Sequence, residues 1–298
     1  MNKNTTFAAV LLLIMSLLTA CNKQGEKADA YGNFEAVQVT VSAQNNGQLL
    51  FLNCEEGQSG TIHQVVGLID TLDLHLKKQQ AHSQYAAILS RLTSVEAQTV
   101  VQEQQLKNMT VDRDRIYQLL ATGAATQKQK DDIDGAILLT SRQLDATRSQ
   151  IFSIRAEAEV ISKQAEQLTE QIRKCYITHP IDGIILTKFA ESGEVVTFGK
   201  ALYKIADLNS LDLKAYISGY QLSAFQIGQE VEVSIDVSKN EYKVLKGTVS
   251  WISSTAEFTP KTIQTKEERV DLVYAVKIKV KNDGSLKIGM PGEIRIIN

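Results

Sequence analysis

Between Leu72 and His179 the chain has no proline and only two glycines, Gly123 and Gly135. Roughly a hundred residues so nearly free of helix breakers point to long helices. Ile133, Ile137, Thr140, Leu144, Thr147, Ile151, Ile154, Ala158, Ile161, Ala165, Leu168 and Ile172 step alternately by four and three. Between them stand Gln, Glu, Asp, Arg, Lys and Ser, so the segment reads as the seam and solvated exterior of a coiled coil. The stretch from Leu74 to Leu120 keeps the same rhythm less cleanly, with Lys78, Gln102 and Arg113 on the seam. Gly123 accepts the left-handed conformation that ends helices, and Thr126 can cap a second one. Seam positions equidistant from Gly123 match: Leu74 with Ile172, Ile88 with Ala158, Leu106 with Thr140, Met109 with Ile137. The expectation is an antiparallel hairpin over 72–174 with its tip near 121–126. Each arm should be about 70 Å long at 1.5 Å per residue. A single long parallel coiled coil would leave Gly123 and the matched arms unexplained.

The chain begins with Lys3 and a twelve-residue apolar run from Phe7 to Leu18. A bilayer span needs about twenty residues, whereas a signal-peptide core has this length. The run ends in Leu18-Thr19-Ala20-Cys21, which resembles the bacterial lipobox. The resemblance implies a signal peptide over 1–20, lipidation of Cys21 and a polar tether over 21–30. An ordinary signal peptide followed by a chance cysteine is the alternative. Outside the cytoplasm Cys54 and Cys175 could pair, but two buried free thiols are the preferred reading. Cys175 and His179 have no further metal ligands beside them in sequence.

Two segments flanking the hairpin repeat each other. The first is Gly47-Gln-Leu-Leu-Phe-Leu-Asn-Cys-Glu-Glu-Gly57, continuing to Gly67-Leu-Ile-Asp70. The second runs from His179 through Gly183 and Gly193 to Ala206. An offset of 136 places Gly47 on Gly183, Glu55 on Glu191, Gly57 on Gly193, Thr61 on Thr197 and Ile69 on Ile205. Gly199 falls on His63, a departure from the usual glycine-rich first half. These halves resemble those of a biotinyl/lipoyl-type β-sandwich split by an inserted helical hairpin, the hallmark of the HlyD-like membrane fusion proteins, or periplasmic adaptors. The likeness covers nearly all of the mature chain and implies a first half at 42–71 and a second at 175–206. Neither the Asp-Lys-Ala nor the Met-Lys-Met triplet of a working carrier occurs, so the expected scaffold has no prosthetic group and no cofactor.

From Asp207 onward the chain reads as strands. Val231, Val233, Ile235 and Val237 alternate with polar residues, and Val276, Ile278 and Val280 alternate with Lys277, Lys279 and Lys281. The lysine face reads as a solvated strand face that discourages edge pairing, with anionic headgroups as the alternative contact. A short helix is expected between Gly219 and Ile227. The resemblance implies a β-barrel over 207–298, joined by an N-terminal strand at 31–41. The fold class is therefore α+β: an elongated multidomain chain with a coiled-coil hairpin inserted in a lipoyl-like sandwich and followed by a barrel. Ser253–Arg269 has no clear periodicity, and loops of that length are commonly functional. Phe258, Thr259, Pro260, Lys261, Gln264, Glu268 and Arg269 are its candidate transporter-contact residues, by resemblance to adaptors that accompany ABC-type exporters. A plain surface loop is the alternative.

At the bend, Arg115, Leu119 and Thr126 resemble the Arg-x3-Leu-x6-Ser pattern of adaptors that dock on TolC-like outer-membrane factors, with Thr for Ser. An arginine offers several donors to carbonyls or carboxylates of a facing helix, and Leu119 offers an apolar knob. The plainer reading makes Arg115 solvated, Leu119 a seam flank and Thr126 an N-cap.

A net charge of −2 does not suggest a nucleic-acid binder, and four histidines and three cysteines leave little for a metal site. His75 and His82 read as solvated. Gly193–Lys200 is no phosphate loop, since its glycines are six apart and Ala201 stands where a magnesium ligand is required. No Gly-x-Ser-x-Gly or His-Glu-x-x-His motif is present, so no enzyme is expected. The resemblance implies a lipid-anchored, homo-oligomeric adaptor (hexameric ring or trimer) in a Gram-negative envelope. Its partners would be an inner-membrane transporter, ABC-type in preference to RND-type, and a TolC-like channel. An RND-pump adaptor and a purely structural coiled-coil lipoprotein are the alternatives.

Overall fold

The computed structural model describes residues 28–238, 241–258 and 272–297. They form two compact units, one comprising Gln38–Ala206 and the other the chain on either side of it.

In the Gln38–Ala206 unit the long periodic segment is helical, as its heptads dictate. Helix α1 runs Leu72–Ala121 and helix α2 runs Gln127–Cys175, 50 and 49 residues. Each is about 75 Å long at 1.5 Å per residue. The seam nearest the sandwich is apolar. Ala81 packs with Ala165 and Leu168, and Ile88 and Val95 pack with Ile154 and Ala158. Ala81 and Ala165, like Ile88 and Ala158, are equidistant from Gly123, so the register follows the matched seams. Ion pairs flank the seam: Arg91 with Glu157, Glu96 with Arg155 at 2.8 Å and Glu103 with Arg148 at 2.7 Å.

The same unit holds a β-sandwich. One sheet is β2 (Gln38–Ser42), β9 (Ala201–Ala206), β7 (Gly183–Lys188) and β4 (Ser59–Gly60). The other is β6 (Tyr176–Thr178), β5 (Val65–Ile69), β3 (Gly47–Leu52) and β8 (Val195–Val196). Leu49, Leu52, Val66, Ile69, Ile185, Leu202 and Ile205 fill its interior. The 136-residue repeat holds at the level of single hydrogen bonds. Gly57 N–H donates to the Ile185 carbonyl at 2.8 Å, and Gly193 N–H to the Leu49 carbonyl at 2.6 Å. His63 N–H donates to the His179 carbonyl, and Gly199 N–H to the Ala43 carbonyl, both at 2.9 Å. His63 has φ +65° where Gly199 has φ +85°. The histidine keeps the left-handed turn of its glycine counterpart at a cost of about 1 kcal/mol.

The other unit is a barrel. Strands β10 (Ser210–Ser218), β1 (Ala30–Glu35), β15 (Pro291–Ile296), β11 (Glu230–Ser238), β12 (Glu241–Ile252) and β14 (Leu272–Lys281) pair in that order, and β14 closes on β10. Phe34, Leu211, Leu213, Val231, Val233, Ile278 and Val280 make its core. The alternating strands behave as their period requires, with Val276, Ile278 and Val280 inward and Lys279 and Lys281 exposed.

Three expectations change. The 31–41 segment does not join the barrel as one strand. Only β1 does so, whereas β2 pairs with β9 and sets Val39 and Val41 against the sandwich core. The break falls at Ala36-Val37, where Val37 is exposed. The helix expected between Gly219 and Ile227 is a three-residue 3-10 turn, Leu222–Ala224, because Phe225 turns inward to be buried. The Ser253–Arg269 stretch is not wholly irregular. Glu257–Phe258 forms β13, paired with Val273 and Leu272 of β14.

Candidate functional site

The hairpin tip is built by two caps. Helix α1 ends in a Schellman motif. Ala124 N–H donates to the Leu119 carbonyl at 2.9 Å and Gly123 N–H to the Leu120 carbonyl at 3.1 Å, with Gly123 at φ +74°. Helix α2 opens with a capping box. The Thr126 hydroxyl accepts from the Gln129 N–H, and the Gln129 side chain accepts from the Thr126 N–H at 2.7 Å. Only Ala124 and Ala125 separate these caps, so the turn has little freedom.

The tip helices are also tied across the hairpin. Tyr117 Oη donates to Asp134 Oδ2 at 2.7 Å, and Lys130 Nζ reaches the same oxygen at 3.0 Å. Lys130 Nζ lies 5.2 Å from the centre of the Tyr117 ring, with the Arg113 guanidinium 6.0 Å away. Hydrogen bonds from Tyr117 and then Lys130 hold the Asp134 carboxyl below its ordinary range. The sequence showed no sign of this lock. Tyr117 and Asp134 lie off the seam, and polar residues there read as solvated.

Arg115 and Leu119, four residues apart, share one exposed face of α1 at the tip. The Arg115 side chain is 68% exposed, and its single ion pair is to Asp112 at 3.2 Å. Such a pair contributes at most about 1 kcal/mol and yields readily to a better acceptor. Leu119 is 42% exposed. Thr126 differs from these two, since its hydroxyl is committed to the capping box. Cys21 and the loop residues Thr259, Pro260, Lys261, Gln264, Glu268 and Arg269 lie outside the described residues. Phe258 is placed only by its backbone, in β13.

The sandwich holds a second polar cluster. His179 is 2% exposed and its Nδ1 lies 3.0 Å from Tyr203 Oη, which also donates to the Thr178 carbonyl at 3.3 Å. Burial pushes the His179 pKa down, so its ring is neutral. Cys54 and Cys175 are free and fully buried. Burial raises the Cys54 thiol to about 11, and burial also raises that of Cys175, beside which Asn45 donates to the sulfur at 3.2 Å. Thiols held protonated in this way are poor nucleophiles. Among the described residues no three His, Cys, Asp or Glu side chains are grouped to hold a metal ion. Nor is any described helix long and apolar enough to cross a membrane.

A two-helix hairpin inserted between the halves of a lipoyl-like sandwich, with a six-stranded barrel built from the flanking chain, is the fold of the HlyD-like membrane fusion proteins, or periplasmic adaptors. Solved structures of this kind superpose on the chain. The membrane fusion protein Spr0693 from Streptococcus pneumoniae R6 gives a TM-score of 0.53 at 18% identity, over 89% of this chain and 97% of that one. MacA from Actinobacillus actinomycetemcomitans gives 0.55 at 20% identity, over 91% of this chain and 79% of that one. In sequence, a UPF0194 membrane protein from Acidithiobacillus ferridurans is 26% identical over 330 aligned positions, covering 99% of this chain and 96% of its own. The chain matches no family profile.

Proposed function

We propose that this chain is the periplasmic adaptor of a tripartite export system, joining an inner-membrane transporter to an outer-membrane channel of the TolC type. The observation that carries the reading is the tip. Two helices of 50 and 49 residues end in a doubly capped turn that sets Arg115 and Leu119 side by side in solvent. Long helices joined by so rigid a turn suit a reach across an aqueous compartment to a helical partner. Arg115 supplies donors for that partner's carbonyls or carboxylates, and Leu119 supplies the apolar contact. Thr126 acts through the turn, fixing the angle at which α2 departs. The cargo class is small molecules or peptides.

Lipidation of Cys21 holds the chain to the inner membrane, and the segment from Phe258 to Arg269 meets an ABC-type transporter. Copies of the chain assemble as a ring. Co-purification in mild detergent separates the transporter classes: an ABC permease with its ATPase supports the reading, and a large RND protein replaces it. The decisive test is Arg115→Asp. This variant is expected to fold, remain membrane-bound and lose export together with cross-linking from Ala125 to the channel. Normal export by Arg115→Asp overturns the docking assignment. Absence of any defined cross-link in the unmodified chain reduces the protein to a structural spacer.

A further inference from the structure

We propose that one end of the barrel is a bilayer-contacting surface, in which Tyr220 and Ile227 enter the membrane interface. The inference rests on the reading of Cys21 as a lipid anchor. Asp29, the last residue before β1, is pinned at the end where β10 and β15 finish and β11 starts. Its N–H donates to the Ile294 carbonyl at 2.8 Å, its carboxylate accepts from the Ile296 N–H at 2.9 Å, and its carbonyl accepts from Gln221 Nε2 at 2.7 Å. Cys21 is eight residues from Asp29, so the intervening chain spans at most about 28 Å. A lipid on Cys21 therefore keeps this end of the barrel close to the bilayer.

The surface there has the composition such a contact needs. From Gly219 to Gln229 the sequence is Gly-Tyr-Gln-Leu-Ser-Ala-Phe-Gln-Ile-Gly-Gln, without a charge, in a chain that is 22% charged. Tyr220 is 85% exposed, Ile227 69% and Ile297, just past β15, 48%. Tyrosine favours the headgroup level, where its ring is apolar and its hydroxyl stays wet. The segment is not a loose loop. Phe225 is buried beneath it, Gln221 N–H donates to the Ser218 carbonyl at 3.0 Å, and Gly228 N–H donates to the Val249 carbonyl at 2.8 Å. Groups already bonded within the barrel lose less on leaving water. The next residue is Glu230, so the contact is apolar rather than a basic patch seeking anionic lipid. High salt should not weaken it.

The test uses the full-length lipidated chain in phosphatidylethanolamine/phosphatidylglycerol vesicles whose acyl chains are brominated near the headgroup. Trp251 is the only tryptophan. Trp251→Phe therefore gives a silent background for Tyr220→Trp, Ile227→Trp and, as a control, Tyr242→Trp at the start of β12. Emission from positions 220 and 227 is expected to shift to the blue and lose intensity to the brominated lipid, at low and high salt alike. Emission from position 242 should do neither. A chain that floats with the vesicles while positions 220 and 227 stay unquenched overturns the barrel contact and leaves the anchor standing. A chain that fails to float overturns both. Equal quenching at all three positions overturns the assignment of this end. Shielding that appears only when the transporter is co-reconstituted, without bromolipid quenching, assigns the surface to a protein and also overturns the proposal.

Discussion

Gly60 and His179 are a packing pair, and exchanging their sizes should show it. A methyl group on Gly60 would meet the His179 ring 2.8 Å from Cε1 and closer still to Nε2 and Cδ2. The ring cannot easily yield, because it is buried and its Nδ1 is bonded to Tyr203. In the other half of the sandwich the equivalent positions are Val196 and Ala43, both buried. One half thus pairs a glycine with a histidine where the other pairs a valine with an alanine. Gly60→Val alone should destabilise by about 3 kcal/mol, from overpacking and the loss of one buried hydrogen bond. His179→Ala alone should cost about 3 kcal/mol through the cavity it leaves. The double variant rebuilds the Val/Ala arrangement, and Tyr203 keeps its bond to the Thr178 carbonyl. Its cost should stay near about 3 kcal/mol instead of doubling, a coupling of about 3 kcal/mol. Urea denaturation followed by far-UV circular dichroism, with the slope held constant, reads these values. If the two single costs simply add, the packing relation is wrong.

The same histidine sets a pH dependence. Its folded pKa lies below that of the unfolded chain, about 6.5, so its contribution to stability is complete above that pH. As pH falls through about 6.5 the unfolded chain takes up a proton that the folded chain does not, and stability declines. The urea midpoint should fall between about pH 7.5 and 5.5 by more in the unmodified protein than in the Gly60→Val/His179→Ala double variant. At the tip, Gly123→Ala forces a left-handed alanine and should cost about 1 kcal/mol of local stability, read by hydrogen exchange around residues 119–126. Thr126→Ala should cost about 1 kcal/mol by removing the cap while Thr126→Ser costs almost nothing, so loss of export in Thr126→Ser would give the threonine methyl a direct docking role.

The parts of the fold that could be read from the chain are those whose signal repeats. The seam from Ile133 to Ile172 recurs often enough to define α2 and, through Gly123, its register with α1. The 136-residue offset locates His63 opposite Gly199, and the backbone confirms that both take positive φ. What could not be read depends on single encounters between distant residues. Nothing in the sequence of Gln38–Ser42 announces that its partner is Ala201–Ala206 rather than a barrel strand. The His179–Tyr203 bond fills space vacated by Gly60, and a sequence does not display a hole. At the tip, Arg115 and Leu119 were legible by their spacing. The Tyr117–Asp134–Lys130 lock was not, because its members belong to no periodic pattern.

The departures from the seam's pattern have a physical consequence. Buried apolar clusters in the hairpin reach only to Val95 on α1 and Ile151 on α2. Nearer the tip the seam carries Thr99, Gln102, Thr140 and Thr147. Each threonine turns its hydroxyl back on its own helix, Thr99 to the Val95 carbonyl, Thr140 to that of Ala136 and Thr147 to that of Gln143, all at 3.0 Å. Their hydroxyls are spent mainly on their own helices, and only Thr140 also reaches across, to Met109 Sδ at 3.5 Å. Gln102 Oε1 is buried with no hydrogen-bond partner, at the position that matches Leu144 across the hairpin. The exposed ion pairs Glu96–Arg155 and Glu103–Arg148 contribute at most about 1 kcal/mol each. The tip half of the hairpin should therefore open before the half beside the sandwich, as suits an element that must adjust to a partner. Gln102→Leu removes the orphan acceptor and adds an apolar contact to Leu144, so it should stabilise the tip half by about 2 kcal/mol. Hydrogen exchange between residues 97 and 148 should then slow, with residues 74–90 unchanged. Faster or unaltered exchange there would mean that the polar seam is not what loosens the tip.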